Sequence, residues 1–301
     1  MDERDSRGRD GRPPKKRHFA PRDPNQPRGA PPGRRPGPGK RPRLGIFTTT
    51  LWEYPSQHYT SERPLTPEEI ARGQTRFMQG DKNYVGATPS WVIWQLLQRY
   101  TKPGETVLDP MCGSGTTLDV CRDVDRQGIG FDLAPSRPDI RQADARHLPL
   151  KSASVDFAFL DPPYSTHVDY SDDSRCIGKL DAGGEDGGRA YYEAMGRVFG
   201  EIHRVLRPGR HMGLYVSDSW RKKRGGDPGE GTFMAIGFEL FAMLRERFVP
   251  CDIVCVVRHN EKLSRGNWHK AAEAENFFLR GFNYLLIMRK PGPASGGERG
   301  R

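Results

Sequence analysis

From residue 106 onward the chain alternates between two hydrophobic periods. Short apolar runs rich in Val, Ile, Phe and Leu predict strands at 106–109, 128–132, 140–143, 155–160, 211–217, 251–258 and 281–289. Between them, apolar residues recurring every three or four positions predict helices at 115–124, 189–206 and 233–247. Two helices precede this region. Thr66-Pro67-Glu68-Glu69 reads as an N-cap, a first-turn proline and first-turn acids, and Thr88-Pro89-Ser90-Trp91 opens a helix to about Tyr100 that buries Trp91, Ile93, Trp94, Leu96 and Leu97. The alternation predicts an α/β domain: a mostly parallel, seven-stranded sheet with helices on both faces, its last two strands forming an antiparallel edge.

Composition divides the chain unevenly. Residues 1–44 hold 14 Lys/Arg against 5 Asp/Glu, a balance of +9 that leaves +1 of the formal +10 for the remainder. With ten prolines and almost no large apolar side chains, this basic segment cannot bury enough surface to fold and is expected to be disordered. A single domain is expected over 45–290, with a flexible tail at 291–301. No apolar run approaches the roughly 20 residues of a membrane span, and the Arg/Asp/Gly/Pro-rich start predicts no secretory signal and a cytoplasmic protein. The five cysteines lack metal-like pairing and are odd in number, so neither zinc nor a disulfide framework is expected; Cys251 and Cys255 read as small core residues on one strand face.

Chemistry concentrates at the predicted strand ends, where open α/β sheets place ligands. The first is the turn Asp109-Pro110-Met111-Cys112-Gly113-Ser114-Gly115-Thr116-Thr117. Gly113 and Gly115 allow a sharp turn and close ligand approach before a helix N-terminus. The third glycine of a dinucleotide fingerprint is replaced by Leu118, and no Gly-Lys-Ser/Thr follows, so a nicotinamide site and a phosphate loop are both disfavoured. Asp132 ends the second strand where a carboxylate can accept ribose hydroxyls, and Asp144 follows the third, where one can accept from an adenine amine.

About 45 residues after the glycine turn comes Leu160-Asp161-Pro162-Pro163-Tyr164. Two prolines remove two N–H donors after a buried strand, so carbonyls and one carboxylate are left to face a cleft. An aromatic amine is a poor nucleophile because its lone pair is delocalised. If Asp161 and the Pro162 carbonyl accept its two hydrogens, the nitrogen can pyramidalise toward an electrophile while Tyr164 stacks on the ring.

These two motifs together resemble the S-adenosylmethionine-dependent N4-cytosine/N6-adenine amino-methyltransferases, over roughly residues 84–290. The resemblance implies a class I Rossmann-like methyltransferase fold with an antiparallel last strand and S-adenosylmethionine as cofactor. Thr88 and Pro89 would close over the methionine end of the cofactor. Asp109, Pro110, Met111, Gly113 and Gly115 would hold that end, Asp132 the ribose and Asp144 the adenine. Asp161, Pro162, Pro163 and Tyr164 would hold the target base. The chain departs from the family pattern in carrying Met111 where phenylalanine is usual, in placing the cofactor motif before the catalytic one, and in having no target-recognition segment after the latter.

Recognition therefore falls to long polar loops at 165–188, 220–231 and 259–276, or to the tail. Arg221, Lys222, Lys223, Arg224, Arg265, Trp268 and Lys270 are the candidate substrate contacts, pairing phosphate-binding cations with a stacking ring. Residues 48–54 either cover the cofactor pocket or pack on the sheet. The expected substrate is an exocyclic base amine in nucleic acid, with DNA the family default. A structured RNA, including N2 of guanosine, is the alternative, and a catalytically inactive nucleic-acid-binding protein is a third reading. Deleting residues 1–44 is expected to lower nucleic-acid affinity and flatten its salt dependence while leaving cofactor affinity unchanged; titrations of both proteins at several salt concentrations measure this.

Overall fold

The computed structural model describes residues 43–71, 79–81, 84, 86–168, 170–222, 231–259, 263 and 266–292. Of the expected tails, all but 43–44 and 291–292 lie outside the described residues. The described residues lie in one compact unit. Its strands are β1 (Leu51–Trp52), β2 (Thr106–Asp109), β3 (Gln127–Asp132), β4 (Ile140–Gln142), β5 (Val155–Leu160), β6 (Leu206–Val216), β7 (Ser219–Lys222), β8 (Gly231–Met234), β9 (Val249–Val257) and β10 (Phe282–Arg289). Its helices are α1 (Pro67–Ala71), α2 (Ser90–Tyr100), α3 (Thr116–Asp123), α4 (Arg189–Val205), α5 (Ile236–Arg245) and α6 (Gly266–Ala274).

Eight strands form the main sheet in the order β1-β9-β10-β6-β5-β2-β3-β4. Pairings from β6 through β4 are all parallel, whereas β10 runs antiparallel between β6 and β9. This is the Rossmann-like methyltransferase arrangement expected from the resemblance. The expected antiparallel edge is corrected: β10 alone is reversed, it is inserted rather than peripheral, and β1 forms the edge by pairing parallel with β9 at Cys255 and Val256. Residues 48–54 thus extend the sheet and do not cover a pocket. Because β1 is only two residues long, the first half of β9 has no partner on its outer side among the described residues, and Cys251 there is exposed; Cys255, though paired with Leu51, is half-buried rather than in the core.

Strand β5 shows how sequence becomes architecture. All six of its residues are buried, as expected for a central parallel strand covered on both faces. Phe157 and Phe159 point into a layer with Trp52, Trp91, Ile93 and Leu97. Val155, Ala158 and Leu160 point into the opposite layer with Tyr191, Phe199, Ile202 and Leu240. The change of parity after Val155 coincides with a bulge: Val155 pairs with Leu206 but Phe157 pairs with His211, so β6 carries Pro208-Gly209 in the extra stretch. Gly209 takes φ +77 there. That bulge is why β6 begins at Leu206 and not near 211. Each fully buried Leu, Ile or Phe in these layers contributes about 1.5–3 kcal/mol.

The other differences lie in the expected loops. Phe233 and Met234, read as the start of a helix, belong to β8, which pairs with β7 as a hairpin, and α5 begins only at Ile236. The segment 266–274, read as loop, forms α6, none of whose residues is buried. Trp94 is half-buried where the rest of its predicted face is buried, and Ser90, Val92 and Gln95 of α2 are buried as well.

Leu118, which stands in place of a fingerprint glycine, has a compensating pair on the neighbouring strand. A Cβ at Gly128 would come within 2.8 Å of Leu118 Cδ2, and one at Gly130 within 2.7 Å of Cys112 Sγ and 3.0 Å of Leu118 Cδ1. The close helix-to-strand approach is thus provided by glycines on β3. Gly130→Val is expected to cost about 1–3 kcal/mol by overpacking, measured as a lower denaturant midpoint with an unchanged slope.

Candidate active site

Sheet order aligns the candidate residues. β5, β2, β3 and β4 are successive neighbours and parallel, so their carboxyl ends lie on one side of the sheet. Asp109 and Asp132 end β2 and β3, and Asp161 and Asp144 follow β5 and β4 within two residues. Strand spacing of about 4.8 Å therefore sets four carboxylates in a row before any side chain is positioned.

The glycine turn is fixed to β3. Cys112 N–H donates to the Phe131 carbonyl at 2.8 Å, Gly115 N–H to the Cys112 carbonyl at 2.8 Å, and Gly113 N–H to Asp132 Oδ2 at 2.9 Å. Gly113 has φ +50, and a Cβ there would meet the Tyr84 ring and hydroxyl at 2.9–3.1 Å. Gly115 has φ +80 as the residue before α3, and its missing Cβ leaves room for the Arg137 guanidinium, which is bound by Asp119 and Asp139. Gly113 thus lets the turn and Tyr84 approach at the cavity wall, while Gly115 admits a buttressing arginine behind it.

Asp109 accepts from Met111 N–H at 3.1 Å and from the Thr117 hydroxyl. Asp161 accepts from the Thr88 hydroxyl at one oxygen and from the Tyr164 hydroxyl, 2.5 Å away, at the other. Burial dominates these hydrogen bonds and pushes both carboxyls from the ordinary range near 3.8 up to about 7. Each Asp161 oxygen keeps a lone pair, since it receives one hydroxyl hydrogen. Asp161 lies on the cavity wall and its partners are neutral hydroxyls.

The Asp-Pro-Pro-Tyr loop differs from the sequence reading in two respects. The Pro163 carbonyl is already satisfied by the Tyr191 hydroxyl of α4 at 2.9 Å, whereas no donor among the described residues reaches the Pro162 carbonyl. The Tyr164 hydroxyl serves Asp161 and accepts from Asn283 Nδ2 at 3.2 Å, so this ring is held at both sides of its oxygen. Thr88, expected over the cofactor, holds the Asp161 carboxylate as well.

A cavity of about 1020 Å³ joins the two motifs. It exceeds the roughly 300–1000 Å³ of a single small-molecule pocket and has room for two ligands. Thr88, Asp109, Pro110, Met111, Gly113, Asp132, Asp144, Asp161, Pro163, Tyr164 and Trp268 line it; Pro89, Gly115, Pro162 and Lys270 do not. Asp144 is clamped by Arg146, whose Nη2 lies 2.7 Å from Oδ2 and which also donates to the Arg175 carbonyl. The side chains of Arg221 and Lys222, and all of Lys223, Arg224 and Arg265, lie outside the described residues. Sequence reasoning missed Tyr84, Tyr170, Trp220, Arg258, Phe277 and Phe278, all on the wall. Of these only Arg258 carried a readable signal, because it directly follows an apolar strand on the sheet's ligand side.

Residues 17–142 match the N6_N4_Mtase family, described as DNA methylase. The match includes the glycine turn and Asp132 and stops before Asp144 and Asp161. The type II methyltransferase M.Cfr9I of Citrobacter freundii is 46% identical over 52 residues, 17% of this chain. The chain spans only 17% of the length of that curated relative. The resemblance to the N4/N6 amino-methyltransferases is borne out by these two matches. Among solved structures, the [4+2]-cyclase SpnF is similar at TM-score 0.44 and 17% identity, covering 75% of this chain and 92% of its own. A SAM-dependent methyltransferase of Methanosarcina mazei follows at 0.42 and 14%, covering 66% and 98%. TrmN of Thermus thermophilus follows at 0.42 and 18%, covering 68% and 50%.

The two raised carboxyls have a consequence for stability. Between about pH 4 and pH 7 they hold protons in the folded protein that the unfolded chain has already released, so folding stability falls as pH rises through that window. Denaturant midpoints of the ligand-free protein are expected to decline from about pH 5 to pH 8, and Asp161→Asn is expected to flatten that decline.

Proposed function

We propose, for a chain that matches the DNA methylase family over residues 17–142, that it transfers a methyl group from S-adenosylmethionine to an exocyclic amine of a nucleic-acid base. DNA is the substrate that the family match favours, with adenine N6 or cytosine N4 as the acceptor. A cytoplasmic location fits such a substrate; among the described residues no helix is long and apolar enough to cross a membrane. The observation that carries the reading is that Asp161 and the glycine turn, on neighbouring strands, line one cavity.

The cavity's donor set suits the cofactor. Asp109, Asp132 and Asp161 line it with no ion pair to a cation among the described residues, which favours a ligand with a sulfonium and an ammonium group. Asp109 would hold the ammonium end. Asp132 already accepts Gly113 N–H and Ala134 N–H, and it retains lone pairs for ribose hydroxyls. Asp144 would reach an adenine amine only beside Arg146. When bound, the cofactor supplies an electrophilic methyl carbon.

The rest of the chemistry belongs to the protein. Asp161, on the cavity wall, accepts a hydrogen of the target amine, which draws the nitrogen lone pair out of conjugation; the Pro162 carbonyl, off the wall but without a donor among the described residues, takes the second hydrogen only once the base is seated. The Tyr164 ring covers the base, and its hydroxyl, with Thr88, fixes the rotamer of the carboxylate. Once the new N–C bond forms, the amine must lose a proton. Asp161, with a pKa near 7, is matched to take it and pass it to water. An in-duplex base would first be extruded.

Asp161→Ala is expected to lower methyl transfer by at least about 10²-fold while S-adenosylhomocysteine binds within about twofold of wild type. Transfer of labelled methyl to DNA, to rRNA and to tRNA, with mass spectrometry of the digested nucleosides, measures the loss and identifies the base. Turnover undiminished in that variant would reject the mechanism.

A further inference from the structure

Beyond the Asp161 loop the cavity continues to a mouth that neither the cofactor nor the target base uses. Its wall comes from β7 (Trp220), the residue after β9 (Arg258), and the connection between α6 and β10 (Phe277, Phe278 and Arg280). Its chemistry is the reverse of the acidic floor. No ion pair within 4.0 Å joins Arg258 or Arg280 to a carboxylate among the described residues, although Arg258 lies near enough to Asp161 to favour its charged form. The Arg258 guanidinium has one weak side-chain bond, to Ser217 Oγ at 3.4 Å. Arg280 lies 5.0 Å from the centroid of the Phe233 ring, and its buried Nε has no partner. Asp218, the carboxylate beside Ser217, is consumed by Gly237 N–H and the Tyr284 hydroxyl. A half-buried guanidinium without an ion pair, Arg280 above all, marks a place where an external anion completes the set.

The same mouth is aromatic. The Trp220 and Phe277 rings lie 6.3 Å apart and within 14° of parallel. Phe278, next in the chain, is 83% exposed, the most exposed of the protein's large apolar side chains among the described residues. Phe233, under Arg280, is 48% exposed. Flat exposed rings beside unpaired arginines match a ligand that alternates planar faces with phosphates.

We propose that this mouth binds an unpaired nucleic-acid strand. Arg258 and Arg280 take phosphates flanking the target nucleotide, and Phe278 and the Trp220–Phe277 pair stack the neighbouring bases. The assignment rests on the methyl-transfer reading and narrows its substrate. In a duplex, base faces are covered by their own neighbours, so rings at this mouth gain stacking contacts only from a single strand, a loop or an opened site. Trp220 comes from a segment that the sequence presents as a polar loop, and Phe277 and Phe278 directly follow another.

Fluorescence anisotropy with a fluorescein-labelled DNA single strand of about 12 nucleotides, and with a duplex of the same sequence, tests the site. The wild type is expected to bind the single strand more tightly than the duplex. Phe278→Ala, an exposed position, should weaken single-strand binding by about 5- to 100-fold. Arg280→Gln should reduce the slope of log affinity against log salt by about 0.7, the value for one phosphate contact on a single strand. S-adenosylhomocysteine affinity, measured by calorimetry, should stay within about twofold for both variants and serves as the folding control. Tighter binding of the duplex, or variants that bind the single strand with wild-type affinity and salt slope, would overturn the proposal. These titrations involve no turnover, so they can fail while Asp161-dependent methyl transfer holds, and the reverse.

Discussion

Parallel pairing of β2 between β5 and β3 is the constraint on which the site depends. Only parallel neighbours deliver successive strand ends to one side of a sheet, and only a strand flanked by both partners aligns the glycine turn with Asp132 on one hand and Asp161 on the other. The backbone bond from Cys112 to Phe131 and the Gly113 bond to Asp132 then lock the turn to β3. The helix α3 packs closely enough to start at that turn because Gly128 and Gly130 yield space to Leu118 and Cys112. The core layers on either face of β5 hold this frame, so the loops that carry the site are anchored at the ends of rigid strands.

On that frame the electrostatics divide sharply over a short distance. The floor gathers Asp109, Asp132 and Asp161, two of them forced toward neutral pKa by burial, and the mouth gathers Arg258 and Arg280 among rings. In the proposed reaction, the same burial that destabilises the ligand-free protein above pH 7 would tune Asp161 for accepting a proton. Stability and chemistry are here opposed through one carboxyl group.

Several expectations failed for identifiable physical reasons. The Pro163 carbonyl was expected to face the cleft unsatisfied, but Tyr191 reaches it from the first turn of α4, a position whose helical periodicity marks it only as core. Cys251 sits on an apolar strand, yet the two-residue β1 is too short to cover it. Trp220 and Phe233, set in what read as loop and helix, occupy opposite positions of a hairpin. In each case the local pattern was correct as a propensity, and burial depended on an element distant in sequence.

What the sequence by itself determined are the properties held within a few residues. These are the strand ends, the φ > 0 turn at Gly113 and Gly115, the N–H-poor Asp-Pro-Pro-Tyr loop and the order of carboxylates along the chain. They are legible because backbone conformation and hydrogen-bonding capacity are set by the residue and its immediate neighbours. Tertiary structure alone decided which groups meet. Thr88 and Asn283 reach the Asp161–Tyr164 pair from opposite ends of the domain, and Arg258 and Phe278 arrive at the cavity wall from the end of β9 and from the α6–β10 connection. No periodicity encodes those encounters; those of Asn283, Arg258 and Phe278 follow from the insertion of β10 between β6 and β9, a pairing whose energy comes from contacts across the whole sheet.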